Sequence, residues 1–185
     1  MTLPISVIIL TYNEEKNIES CLQSVHNLFK DVFIVDSFSE DRTLEICKCY
    51  TDKIYKHEFE NYGKQRNWAL ANLPIKTNWV FHLNSDQRIT EKLKKELLSI
   101  FSETRNMSDG FLIPRKTIFM GKWIKHGGHY PVYDAILFKL ASGIYEESRY
   151  DQLCQIKGKV EILSGEVEDI VTSSLSGFTL RHNKW

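Results

Sequence analysis

No apolar run in the 185 residues approaches the roughly 18 needed to cross a bilayer, and Met1-Thr2-Leu3-Pro4 is not a basic leader followed by a long apolar stretch. A chain that stays in the cytoplasm is expected. Neither sign of charge is in excess, with 24 Lys plus Arg against 24 Asp plus Glu. Nothing global therefore draws the chain to nucleic acid or acidic lipid, and no nucleic-acid partner is expected. Cysteine is scarce: Cys21, Cys47, Cys49 and Cys154 lack the paired spacing of a zinc site and suit reduced thiols. Cys47 and Cys49, two apart on a helix, would face different directions. No linker, repeat or low-complexity segment interrupts the chain, and its length suits one domain with a real core better than two.

What is present is an alternation of strand and helix. Ile5-Ser6-Val7-Ile8-Ile9-Leu10 is short, apolar and β-branched, and it stops at Thr11-Tyr12-Asn13, as a buried strand ending in a loop does. A helix follows, with Asn13 able to cap it, Glu14 and Glu15 suiting its positive end, and Ile18, Leu22, Val25 and Phe29 at helical spacing. Val32 to Val35 reads as a second strand, Ser39 or Asp41 can start a second helix, and Lys53 to His57 fits a third strand. Asn61 to Ala71 reads as helix, and Trp79 to Leu83 as a fourth strand ending in Asn84-Ser85-Asp86. This order implies parallel strands with right-handed crossovers. Thr90 can cap a helix carrying Leu93, Leu97, Leu98 and Phe101. Beyond Asp109, the runs at Phe111 to Pro114, Ala135 to Phe138 and Val160 to Leu163 look like short strands, and an amphipathic helix starts near Ser174.

In an open parallel sheet, ligands bind outside the carboxyl ends of the strands. Thr11-Tyr12-Asn13-Glu14, Asp36-Ser37 and Asn84-Ser85-Asp86 all fall there. No G-x-G-x-x-G follows the first strand and no Walker lysine is present, so an ordinary dinucleotide or P-loop site is excluded. A nucleotidyltransferase, which would want a Gly-rich basic loop at this place, is disfavoured for the same reason.

Three motifs in order, Val7 to Glu15, Ile34 to Thr43 and Gly63-Lys64-Gln65-Arg66-Asn67-Trp68-Ala69-Leu70, resemble the inverting family-two glycosyltransferases of GT-A fold. A fourth, Ile113-Pro114-Arg115 with Gly121 to Pro131, resembles the branch that glucosylates the lipopolysaccharide inner core or builds exopolysaccharide. The resemblance implies a single α/β domain over 1–185, with a Rossmann-like, mostly parallel mixed sheet flanked by helices. Residues 1–88 would form the nucleotide-sugar-binding half, and 89–185 a strand-rich acceptor half, cut short at Trp185 by comparison with the family. It implies a nucleoside diphosphate sugar, by family default a UDP-hexose, as donor. A saccharide or lipid-linked glycan would be the acceptor, with peripheral contact at the inner face of the membrane.

By the same resemblance Thr11 and Tyr12 line the nucleobase pocket, with Asn13 and Glu14 beside them. Asp36 accepts from the base or ribose with Ser37 adjacent, and Lys64 and Arg66 lie near the phosphates; a solvated helix face is the plainer reading of those two. The family's Asp-x-Asp loop places its last carboxylate on Mg²⁺ or Mn²⁺, which neutralises charge growing on the leaving diphosphate. Asp86 matches that position, while Asn84 and Gln87 stand where relatives carry further acids. Asn84 can still bond a ribose hydroxyl, with Ser85 between them. An inverting transfer also needs a general base. Gln152 stands at the family's catalytic Glu, and an amide cannot serve, so the adjacent Asp151 is expected to, with Glu146 and Glu147 as substitutes. Trp123, Lys125, His126 and His129 are acceptor-side candidates within a stretch that otherwise reads as a core-packed hairpin, and Gly127-Gly128 would permit close backbone approach. The losses at 84, 87 and 152 leave a second reading open, a binding-only or very weakly active relative.

Overall fold

The computed structural model describes residues 2–102, 108–147 and 153–172, with Leu175 and Thr179. The first strand, β1 (Leu3–Thr11), is buried at every position from Ile5 onward. Alternate side chains of a strand point to opposite faces, so burial along the whole run requires cover on both. Ile5, Val7 and Ile9 enter one core layer with Ile18, Cys21, Leu22 and Val25 of α1 (Ile18–Val25). Ile8 and Leu10 enter the other, with Val80, Phe138 and Tyr145.

The chain continues through β2 (Phe29–Asp36), α2 (Thr43–Lys48), β3 (Ile54–Lys56), α3 (Tyr62–Asn72) and β4 (Trp79–Asn84). These strands stand in the order β3-β2-β1-β4, all parallel, as the alternation requires. Then follow β5 (Gln87–Ile89), α4 (Glu91–Ser102), β6 (Gly110–Phe119), β7 (Lys122–Trp123) and β8 (Val132–Lys139). The remaining strands are β9 (Gly143–Tyr145), β10 (Cys154–Ile156), β11 (Val160–Ile162) and β12 (Val167–Thr172). Antiparallel pairing of β8 with β4 continues the sheet into β6, β12 and β5. Strands from both halves of the chain thus share one mixed sheet. The hairpin β9–β10 is separate and packs beside α3 and β8.

Local chemistry sets the helix starts. The Asn61 side chain accepts from Lys64 N at 2.9 Å at the head of α3, and Thr90 Oγ1 accepts from Leu93 N at 3.2 Å at the head of α4. Thr90 Oγ1 also donates to Glu166 O at 2.9 Å, which pins α4 to the approach of β12. Cys47 is buried and Cys49 exposed, as their spacing requires.

Three expectations are corrected. Asn13 does not cap α1: a turn intervenes, with Asn17 N and Ile18 N both donating to Glu14 O at 2.9 Å. Asn13 instead takes a left-handed φ of 51°, which its short polar side chain tolerates. Phe29 is not on α1, because Asn27, at φ 59°, turns the chain out of the helix and into β2. Gly127 and Gly128 are not sites of close approach: a Cβ on Gly128 would meet nothing within 4 Å, and their φ values of 73° and 79° are what call for glycine. The hairpin expected across 115–126 is present, with Ile118 opposite Trp123 and both turn residues, Met120 and Gly121, at positive φ, but it is not core-packed, because none of its residues is buried. Of the helix expected from Ser174, only Leu175 and Thr179 fall within the described residues.

Candidate functional site

Strand register brings the three polar loops onto one rim. Thr11 is the partner of Asp36 across β1 and β2, and Leu10 is the partner of Asn84 across β1 and β4. The three strands therefore end level. Backbone bonds stitch the exits together: Ser37 N donates to Thr11 O at 3.0 Å and Ser85 N to Leu10 O at 3.2 Å.

On this rim Thr11 is buried, and its hydroxyl has no hydrogen-bond partner among the described residues. Tyr12 is 58% exposed and Phe38 53%, which leaves two large aromatic faces open to a flat ligand. Asn13 and Glu14 are knitted to the loop after β2, where Glu40 N donates to Asn13 Oδ1 at 2.8 Å and Glu14 N to Thr43 Oγ1 at 2.8 Å. Asp36 is fully buried, and its carboxylate accepts from both the amide and the hydroxyl of Ser39. Ser37 Oγ accepts from Gln65 Nε2 at 3.2 Å, and Gln65 Oε1 lies 2.7 Å from His57 Nδ1. The imidazole of His57 stacks on Trp68 with ring centres 4.1 Å apart. Gln65, His57 and Trp68 carry no assignment from sequence; the Gly63 to Leu70 motif contained two of them.

The two cations on α3 part company. Lys64 is on the solvated face, ion-paired with Glu60. Arg66 turns inward, donates from Nη2 to Asn84 Oδ1 at 3.1 Å, and lays its guanidinium 4.9 Å over the Tyr145 ring. Asn84 N in turn donates to Gln87 Oε1 at 3.0 Å, and Gln87 Nε2 donates to Asp169 Oδ1 at 3.4 Å. The Gln87 side chain thus holds the turn, the Asn84 side chain ties it to α3, and a carboxylate from β12 is fastened to it. Ser85 is buried and Asp86 half-buried at the tip. Burial pushes the Cys21 thiol beneath this turn far above its ordinary range, and the Asp86 charge adds to the shift. Among the described residues no three His, Cys, Asp or Glu side chains gather to hold a metal. Asp86 brings to this turn a carboxylate, the ligand type that suits a hard cation, while Asn84 Oδ1 is taken by the Arg66 guanidinium.

A further acid escaped the sequence reading. Burial raises the pKa of Asp134, on β8, from its ordinary value. Arg115, 3.6 Å away, opposes the shift, Asp169 reinforces it, and Arg66 opposes it. Its only sequence signal is a carboxylate next to an apolar strand.

Trp123 Nε1 is buried with no hydrogen-bond partner among the described residues, and Lys125 Nζ at 4.6 Å and Lys116 Nζ at 5.0 Å approach its ring centre. His126 and His129 are exposed on the loop beyond β7. Glu146 accepts from Gln155 Nε2 at 2.7 Å, and Glu147 from Asn67 Nδ2 at 3.3 Å. Asp151 and Gln152 lie outside the described residues. A cavity of about 840 Å³, with Lys30, Lys53, Lys76 and Trp79 in its wall, opens at the opposite, amino ends of the strands and takes no part in this rim. No helix among the described residues is long and apolar enough to cross a membrane.

The chain is 30% identical over 102 residues to an uncharacterized glycosyltransferase of Rickettsia bellii, covering 55% of this chain and 34% of that one. It is 27% identical over 124 residues to the lipopolysaccharide core biosynthesis glycosyltransferase LpsC of Rhizobium meliloti, covering 64% and 44% respectively. It therefore spans less than half the length of either relative. The crystal structure of S. aureus TarS 1–349 in complex with UDP-GlcNAc shares the fold, with a TM-score of 0.66 at 22% identity over 96% of this chain and 60% of that one. Residues 6–152, which run through all three loops of the rim, match the family described as glycosyl transferase family 2, and the chain belongs to that family.

Proposed function

We propose that this chain carries the donor site of an inverting glycosyltransferase. It would move a hexose from a nucleoside diphosphate sugar, by preference a UDP-hexose, to a saccharide or lipid-linked glycan of the cell surface. The observation that carries the reading is the level ending of β1, β2 and β4, which sets Tyr12, Asp36 and Asn84–Asp86 along one edge. Tyr12 offers a face for the base, and Thr11 and Asp36 offer polar atoms to its edge. Arg66 and the 84–86 turn face the diphosphate. The similarity to LpsC, named for lipopolysaccharide core biosynthesis, supports a cell-surface acceptor.

Asp86 would hold Mg²⁺ or Mn²⁺ against the diphosphate, and that ion would stabilise negative charge as the leaving group departs. The acceptor hydroxyl forms its bond to the anomeric carbon as the bond to the diphosphate breaks on the opposite face, and a base takes the hydroxyl proton. Asp151 is assigned that role. Trp123 and Lys125, with His126 and His129 beyond them, lie on the acceptor side. Calorimetry of UDP, GDP and CDP with Mn²⁺, followed by donor hydrolysis, tests the reading: UDP should bind in the presence of the metal and its sugar should turn over. Absence of binding by all three nucleotides refutes it.

A binding-only relative is the second reading. It is favoured by Asn84 and Gln87, whose amides occupy acidic positions and are spent on Arg66 and Asp169. Binding without any donor hydrolysis would decide for it.

A further inference from the structure

Arg66 and Asn67 are adjacent on α3 and reach in different directions. Arg66 holds the turn at Asn84. Asn67 holds the hairpin β9–β10: its Nδ2 donates to Tyr145 O at 2.8 Å, its Oδ1 accepts from Tyr145 N at 2.9 Å, and Nδ2 also approaches Glu147 Oε1 at 3.3 Å. A side-chain amide paired with both backbone groups of one residue satisfies an edge that has no strand beside it. It also fixes that edge in position and angle.

Tyr145 closes the link, because its ring lies under the Arg66 guanidinium and edge-on to His82, centres 5.2 Å apart. The packing around it is polar and tight. Arg66 Nε and both ring nitrogens of His82 are buried with no hydrogen-bond partner among the described residues. A shift of Arg66 therefore alters the surroundings of several buried polar atoms at once, where electrostatic interactions are strong. The strand β9 ends where the chain departs toward Glu146 and Glu147, and β10 receives it again at Cys154, with Glu146 N donating to Leu153 O at 3.0 Å across the opening.

We infer that Asn67 is a positioning residue: with Arg66 it couples the turn that faces the donor diphosphate to the hairpin on the acceptor side. This rests on the donor site proposed above. Asn67 touches neither the rim nor the turn, so its loss should spare nucleotide binding and uncouple the hairpin from it.

Amide hydrogen exchange over 143–147 and 154–156, with and without saturating UDP and Mn²⁺, tests the coupling. In the unaltered protein UDP should slow exchange both at the strand ends and in the hairpin. Asn67→Ala should bind UDP within about threefold of the unaltered affinity, keep the strand-end protection and lose the hairpin response. Donor turnover should fall about tenfold in kcat with KM within about threefold. Asn67→Asp, which keeps the acceptor for Tyr145 N and loses the donor to Tyr145 O, should give an intermediate response and serves if Asn67→Ala does not fold. A hairpin indifferent to UDP while the strand ends are protected overturns the inference and leaves the donor site standing. So does an Asn67→Ala hairpin that still responds, or parallel losses of melting temperature, affinity and turnover, which indicate a merely structural role. No protection anywhere in the unaltered protein overturns the donor site, and this inference with it.

Discussion

His82 sits in the middle of the apolar strand β4, fully buried, stacked on Phe138 with planes 10° apart. Burial holds its pKa well below the ordinary range, and the nearby Arg66 charge pushes the same way. In the unfolded chain it takes up a proton near pH 6.5; in the fold it does not. The folded state is therefore penalised as pH falls below about 6.5, and its stability should decline there. Urea titrations from pH 8 to 5 should show a shallower decline for His82→Phe than for the unaltered protein. Equal slopes would mean that His82 is protonated in the fold. Residue identity was legible at this scale where a motif supplied it: Thr11, Asp36, Asn84 and Asp86 do share one rim. Gln65, Tyr145 and Asp134 were not, because each takes its place from a partner remote in sequence: Ser37, Asn67 and Arg115 respectively.

At the level of elements, the cap of α4 was readable and the pairing of the short strands was not. Thr90 ahead of Leu93, Leu97 and Phe101 marks the head of α4 from sequence alone. The structure adds that the same hydroxyl ties α4 to Glu166. Thr90→Ala should cost about 1 kcal/mol or somewhat more in denaturant unfolding, because both the cap and the tie are lost. A change below about 0.3 kcal/mol would show that the cap contributes nothing. The short strands β5, β7, β9 and β10 carry two or three residues each, too few for a period to appear, and they exist because distant partners supply their hydrogen bonds. The six residues of β12 run beside β6 and β5, which come from opposite sides of α4 in the chain.

Across the whole molecule, the sheet passes without a break from the parallel strands β3, β2, β1 and β4 to β8, β6, β12 and β5. The 163–166 segment is where α4 locks onto the second half. Glu96 accepts from Ser164 N at 3.0 Å and from Gly165 N at 2.6 Å. A Cβ at Gly165 would collide with the Leu93 backbone. Gly165→Ala should therefore destabilise the domain by about 1–3 kcal/mol or more, as overpacking does, seen as a lower denaturation midpoint. An unchanged midpoint would mean that α4 can retreat without cost. The alternation of strand and helix made the parallel half legible, whereas the antiparallel return through β8 and β6 depends on contacts that no local pattern encodes. The central claim, a donor nucleotide held at the level ends of β1, β2 and β4 through Asp86 and a divalent ion, is tested most directly by calorimetry of UDP with Mn²⁺. Binding should weaken at least about tenfold, roughly 1.4 kcal/mol, on adding EDTA or in Asp86→Ala. The same affinity in all three conditions would contradict it.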